Sequence, residues 1–373
     1  MYKKFGLSNK DNTCYMNSVL QCLKHIKPLT DYFLSSSGYN FDNKNFFPII
    51  SEYIKLLKDL NGMNSENYSN PIRSFSRFNY DSNYEINQYS SNYKFINYFN
   101  NEHINNGYNT SYQNDYDYKK NFNDYNSYNH YPNNYYNIKN NNNNFNKNYC
   151  SKDGLKCAIS KEYPLYNTYM MNDCAEFLSI LLSLLNKDFQ SNDNIIQNLF
   201  QIKIETQSGC EECNKRYGEK EIDEEFSYYL NLPIVSKEKK EKLKSLEDCI
   251  KEYLKKKYFE DEICPRCRTK LQFEKIKNIK NPKVLVFNLK RIVKGQHYTH
   301  EIFFQKDIIF NNEKYKLINL IIHIGSQFSG HKIAICKDEY NNWFLFDDEK
   351  NYQIHDNLEK YYENVFMLFY QKY

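Results

Sequence analysis

Two short cysteine pairs, Cys210-Glu211-Glu212-Cys213 and Cys264-Pro265-Arg266-Cys267, constrain the fold of this chain more than any other feature. Roughly 50 residues separate them, so any fold must carry two distant strand-and-turn segments to one point. Four thiolates presented as two such knuckles suit a tetrahedral Zn²⁺ with every position filled, which is a structural arrangement and not a catalytic one. A single pair could be redox-active. Two are expected to be zinc ligands, and the strands that carry Cys210, Cys213, Cys264 and Cys267 then owe much of their stability to the metal.

Another cysteine stands in a different setting. From Gly6 to Leu23 a polar turn runs into a helix: Asn12 and Thr13 are cap-type residues, and Met16, Val19, Leu20, Leu23 and Ile26 recur at helical spacing. Cys14 therefore falls in the first helical turn, where unpaired backbone N–H groups and the helix dipole favour a thiolate over a thiol. Taken alone, a cysteine there is more often a core residue.

The complement lies near the other end. His331 opens an alternating apolar run, and after a polar turn a second run, Trp343 to Phe346, ends in Asp347 and Asp348. Two antiparallel strands joined this way return the carboxylates to the side of the histidine. An imidazole oriented by an acid, with a thiol elsewhere in the chain, is the set that nucleophilic catalysis requires. His323 lies in the same region, but its flanks Leu320, Ile321, Ile322 and Ile324 mark it as a packed structural histidine.

These landmarks, in this order, resemble the ubiquitin-specific peptidases. Gly6 to Leu23 is similar to that family's Cys box, and Tyr315 to Asp348 to its His box. Between them, Asn172-Asp173-Cys174-Ala175-Glu176-Phe177-Leu178 resembles a box that usually reads Gln-Asp-Ala-x-Glu-Phe-Leu. Phe226 to Pro233, Ser245 to Cys249, Pro282 to Arg291 and Val365 to Gln371 resemble the strands and helix that follow.

The resemblance implies an α+β fold with a papain-like cysteine peptidase core, divided into thumb, palm and zinc-tipped fingers. One catalytic domain would span 1–373, with a thumb at 1–61 and 151–199, fingers at 200–285 and a palm with the His box at 286–373. It implies a deubiquitinating thiol protease in which Cys14 is the nucleophile, His331 the general base and acid, and Asp347 the residue that orients the imidazole. Asp348 is the adjacent secondary acid, and Asn9 supplies the oxyanion-hole amide. Asp173 is expected to meet the arginine-bearing tail of ubiquitin and Glu176 to brace the groove, since both share one helix face. The alternative is a homologue that binds ubiquitin, or a ubiquitin-like modifier, with little or no cleavage. Three departures bear on that choice. Asp11 stands where the family commonly has glycine, Lys332 replaces the aromatic residue after the histidine, and Ile292 and Lys294 replace aromatics that wall the throat around ubiquitin's terminal glycines.

Composition breaks at 62–150, where Asn, Tyr, Ser and Asp dominate and the aliphatic residues needed for a core are nearly absent. That stretch reads as a low-complexity insert, expected to be disordered because it cannot offset its ordering entropy. A net charge of +4 on 50 basic and 46 acidic residues is mild and gives no reason to invoke nucleic acid. No apolar run approaches the roughly 20 residues of a membrane span, and no leader is visible. With an odd 11 cysteines, a disulfide framework is not expected. The partners implied are ubiquitin and ubiquitinated proteins, in the cytoplasm, the nucleus or both.

Overall fold

Helix α1 (Cys14–Lys24) is buried on every side, not along one stripe. The apolar residues read from the sequence fill its interior, and Met16, Val19 and Leu23 are fully buried. Its polar residues are buried as well: Ser18 Oγ donates to carbonyls of its own helix, and Asn17 and Gln21 hold the segment before it. Gln21 Nε2 donates to the Phe5 carbonyl at 2.9 Å, and Asn17 Nδ2 to the Ser8 carbonyl at 3.2 Å. At the other end, Asn319 Nδ2 donates to the Cys22 carbonyl at 2.9 Å. An all-round buried helix of this kind is a central strut. Truncating Leu20, 1% exposed, to alanine would cost about 2–5 kcal/mol.

The computed structural model describes residues 4–9, 11–35, 48–63, 149–187, 194–218, 222–236, 240–259, 263–269, 272–293, 295–325 and 330–373. All belong to one unit made of residues 1–69 and 146–373. The low-complexity insert expected at 62–150 lies outside the described residues except at its ends. At the carboxyl end Tyr149–Cys150 forms strand β2, paired in parallel with β1 (Gly6–Leu7).

Around α1 gather α2 (Lys27–Ser35), α3 (Pro48–Leu60), α4 (Asp153–Glu162), α5 (Cys174–Lys187) and α6 (Ile195–Phe200). This helical layer packs on one face of an eight-stranded sheet. Its strands are β5 (Leu230–Pro233), β8 (Val284–Lys290), β11 (Asp307–Phe310), β12 (Glu313–Gly325), β13 (Gly330–Lys337), β14 (Trp343–Asp347), β15 (Lys350–Ile354) and β16 (Val365–Lys372). The order is β15-β14-β13-β12-β16-β8-β5, with β11 paired to β12, and only β5 and β8 run parallel.

Period-two alternation decides what each strand buries. Val284, Val286, Ile321, Ala334, Cys336, Met367 and Phe369 face the helices. Leu285, Phe287, Leu320, Ile322, Ile333, Ile335 and Leu368 face a second core on the reverse side, closed by α8 (Leu246–Leu254). Because both faces are covered, these strands read as continuous apolar runs. Ser245 starts α8 as its sequence suggested: its Oγ accepts from the Asp248 N–H at 3.1 Å.

A second sheet of four antiparallel strands contains β3 (Ile202–Cys210), β4 (Asp223–Ser227), β6 (Lys257–Tyr258) and β7 (Gln272–Lys280), ordered β4-β3-β7-β6. Helix α7 (Glu211–Tyr217) follows β3 directly, and a small ribbon pairs β9 (Ile292–Val293) with β10 (Gln296–His297). The stretch Phe226 to Pro233, which resembles one family strand, is divided. Phe226 lies in β4 and is 52% exposed, whereas Leu230 and Leu232 are buried in β5 of the large sheet. The division follows burial: the two leucines have a core to enter only on the large sheet. Among the described residues no helix is long and apolar enough to cross a membrane.

Candidate active site

The β13–β14 hairpin forms as its sequence suggested. Asp338 Oδ1 accepts the N–H groups of Tyr340 and Asn342, each at 2.9 Å, and Asn341 takes φ 66°. The resulting register sets Ala334 opposite Phe346 and carries Asp347 back to His331. His331 Nε2 lies 2.6 Å from Asp347 Oδ1. The same ring interacts with the Cys14 thiol, and that interaction is the main cause of the rise in the histidine's pKa. Residues 317 positions apart thus meet because α1 packs its amino end against the start of β13.

Electrostatics favour a charged pair. Burial pushes the Cys14 thiol up. The hydrogen bonds from the His331 ring and the Lys332 backbone N–H, together with the charges of both residues, outweigh it, and the thiol titrates below its ordinary 9.0. His331 is raised to about 9, chiefly by its hydrogen bond to Cys14; burial opposes this, and Asp347 and Asp348 add to the rise. A lowered thiol beside a raised imidazole is the condition for a thiolate–imidazolium pair.

Asp348 holds partners different from those of Asp347. Its Oδ2 accepts from Asn9 Nδ2 and its Oδ1 from Asn17 Nδ2, both at 2.7 Å. His331 Nε2 is 3.8 Å away. The Asp348 carbonyl accepts the Leu7 N–H at 2.8 Å, and the residue sits at φ 50°, a conformation that aspartate tolerates better than most. Asp348 therefore ties the loop before α1 to the end of β14. Asn9 is fixed from both ends, since its Oδ1 accepts the Thr13 N–H at 2.8 Å. Its Nδ2 carries two hydrogens, so one remains for another acceptor. Asn17 escaped sequence reasoning. The signal was a polar residue three positions after Cys14 in a helix otherwise spaced for burial.

Strain in the loop falls on Asn12, not on Asp11 where the family pattern suggested it. Asn12 has φ 53° and donates its Nδ2 to the Tyr169 carbonyl at 3.0 Å. Asp11 pairs instead with Lys156 at 3.0 Å. Asp173 caps α5: its Oδ1 accepts the Ala175 and Glu176 N–H groups at 2.7 and 3.1 Å. Glu176 lies one turn further on with its surface largely exposed, and partial desolvation of its carboxyl, with the Asp173 charge, raises its pKa. His323 is buried, its ring 5.4 Å from that of His297 and 5.9 Å from Phe366. Ile292 lies in β9, and Lys294 lies outside the described residues.

Away from this centre, the four cysteines converge. Their Sγ atoms all lie within 4.8 Å of one another, with Cys210 and Cys267 3.3 Å apart and Cys213 and Cys264 3.6 Å apart. Tetrahedral zinc at about 2.3 Å from each sulfur sets the sulfurs roughly 3.8 Å apart, so the cluster is of the right size. Cys210 ends β3, Cys213 lies in α7, and Cys264 closes a turn by accepting the Arg268 N–H through its carbonyl at 2.9 Å. The Thr269 hydroxyl lies 3.3 Å from Cys210 Sγ and 3.1 Å from Cys267 Sγ, placed to donate to either.

A thiol, an imidazole and a carboxylate in hydrogen-bonded sequence, on a helix packed against a sheet, define a class of site before any name is attached. A family model described as ubiquitin carboxyl-terminal hydrolase matches residues 5–370, and the chain belongs to that family. It is 27% identical over 224 residues to ubiquitin carboxyl-terminal hydrolase 9 of Saccharomyces cerevisiae, a match covering 51% of this chain and 29% of that protein. With ubiquitin carboxyl-terminal hydrolase 48 of Danio rerio it shares 29% identity over 227 residues, 55% of this chain and 20% of the relative. The chain thus matches less than a third of either relative's length. Among solved structures, the SAGA DUB module containing Ubp8, Sgf11, Sus1 and Sgf73, bound to monoubiquitin, superposes with a TM-score of 0.65 at 19% identity. That match covers 100% of this chain and 70% of the other. The fold is the papain-like core of the ubiquitin-specific peptidases.

Proposed function

We propose that this chain is a deubiquitinating thiol protease that hydrolyses the peptide or isopeptide bond after the C-terminal glycine of ubiquitin. The observation that carries the reading is the contact of the Cys14 thiol with His331, itself 2.6 Å from Asp347. Cys14 attacks the carbonyl carbon of the terminal glycine. His331 holds the thiol proton as imidazolium and passes it to the leaving amine, with Asp347 keeping the ring in place. The free hydrogen of Asn9 Nδ2 meets the developing oxyanion, held there by Asp348. Water, deprotonated by His331, then cleaves the thioester. The alternative of a binder without turnover is less favoured, because an inactive relative has no need to keep the thiol low and the imidazole high.

The four clustered cysteines would hold Zn²⁺, which would supply a fixed crosslink between β3 with α7 and the turn before β7. The helical layer would serve as the thumb, the four-stranded sheet as fingers and the eight-stranded sheet as the palm. Ubiquitin and its conjugates are the partners that fit this arrangement, with Asp173 and Glu176 at the groove, and a reducing compartment, cytoplasm or nucleus, suits the free cysteines. Hydrolysis of fluorogenic amides of ubiquitin and of ubiquitin-like modifiers, by wild type and Cys14→Ala, tests the reading. Cys14-dependent turnover of the ubiquitin substrate is expected, and turnover of none of them refutes it.

A further inference from the structure

Lys152 breaks two local rules at once. It occupies the N-cap of α4, where the helix dipole disfavours a cation, and its side chain makes no capping bond there. It is also 3% exposed, and burial pulls its ammonium down to about 8 against the opposing charges of Asp153, Asp348 and Asp11. A serine or aspartate would suit the helix better, and an apolar side chain the interior. A lysine that contradicts both its helix and its surroundings is explained by what it holds elsewhere.

It holds the loop before α1. The Lys152 ammonium donates to the carbonyl of Ser8, a residue 1% exposed. That carbonyl belongs to the planar peptide joining Ser8 to Asn9, so a donor on its oxygen fixes the plane from which the Asn9 side chain departs. Asn17 Nδ2 reaches the same oxygen at 3.2 Å, and the Ser8 N–H donates to the Cys150 carbonyl at 3.1 Å. One turn along α4, Lys156 pairs with Asp11 at 3.0 Å. The start of α4 thus grips the loop on both sides of Asn9, while Asp348 holds the amide itself at 2.7 Å.

We propose that Lys152 is a positioning residue: its hydrogen bond to the Ser8 carbonyl sets the Asn9 amide where the developing oxyanion forms. This rests on the functional reading above. Asp348 fixes the Asn9 side chain, and Lys152 fixes the backbone that carries it.

The test is a kinetic cycle on hydrolysis of a ubiquitin C-terminal amide by the full chain, with Lys152→Met, Asn9→Ala and the double variant. Each is measured well below its own melting temperature. Methionine keeps the length of the side chain and removes the donor. Outright loss of an oxyanion donor costs about 100-fold or more in kcat. Asp348 still holds the amide in Lys152→Met, so its kcat is expected to fall about tenfold, with KM within about twofold. In the Asn9→Ala background the same change should cost less than about twofold, because the group it positions has gone. If Lys152→Met does not fold, Lys152→Gln, whose shorter chain withdraws the donor, takes its place with the same expectations. A loss of equal size in both backgrounds, a kcat within about twofold of wild type, or a rise in KM without a fall in kcat would overturn the assignment. Absence of turnover by the wild-type chain would instead remove the functional reading beneath it, and the assignment with it.

Discussion

Replacing Asp348 with alanine should damage both the fold and the chemistry, in separable amounts. The carboxylate accepts two amide hydrogen bonds at 2.7 Å, from Asn9 and from buried Asn17. Hydrogen bonds to a charged group contribute about 1.5–3 kcal/mol each; with the side chain 15% exposed, water recovers part of that, leaving about 2–3 kcal/mol. Alanine at φ 50° adds about 1 kcal/mol of backbone strain that aspartate largely avoids. Asp348→Ala is then expected to lose about 3–4 kcal/mol and Asp348→Asn, which keeps one acceptor and tolerates the backbone, about half as much. Catalysis should suffer through Asn9: once its amide is released, kcat falls about 100-fold with KM within about threefold. Thermal unfolding and steady-state hydrolysis of a ubiquitin C-terminal amide measure the two effects. A kcat for Asp348→Ala within about threefold of wild type would refute the argument that Asp348 positions Asn9.

Three further outcomes are expected, two from the catalytic geometry and one from the cysteine cluster. Alkylation of Cys14 by iodoacetamide should reach its half-maximal rate below pH 9.0, and His331→Ala should move that midpoint upward because burial is then opposed only by the Lys332 backbone N–H and charge; a midpoint that does not move would contradict the pairing. Because His331 is raised to about 9 in the fold, its contribution to stability is full below about 6.5 and is lost as pH rises through 9, so the melting temperature should fall over that window in wild type more than in His331→Ala. Metal analysis should find one zinc per chain. Chelation or Cys264→Ser should lower the melting temperature by several degrees, and a metal-free protein with an unchanged melting curve would dispose of the site.

Much of this site was legible before any coordinates. The spacing of Met16, Val19, Leu20 and Leu23 marked α1, and the alternating run after His331 with two acids beyond a polar turn marked the hairpin. What escaped was pairing that depends on tertiary contact. Asp347 and Asp348 are adjacent in sequence and equal in chemistry, and only the turn of the chain at φ 50° sends one toward the imidazole and the other toward Asn9 and Asn17. Asn17 looked like an ordinary helix residue because nothing local says that its helix is buried all round. The division of Phe226 to Pro233 between two sheets was hidden for a similar reason: alternation gives the period of a strand, not the sheet it joins. The positive φ of this loop falls on Asn12, one residue after the position where the family commonly has glycine.

In the proposed reaction the Cys14 sulfur attacks ubiquitin's terminal carbonyl. Incubating the chain with ubiquitin bearing a C-terminal propargylamide and measuring intact mass tests this most directly. One covalent adduct, mapped to Cys14 and missing from Cys14→Ala, is the predicted result. No adduct with wild type, or an adduct that persists in Cys14→Ala, would contradict it.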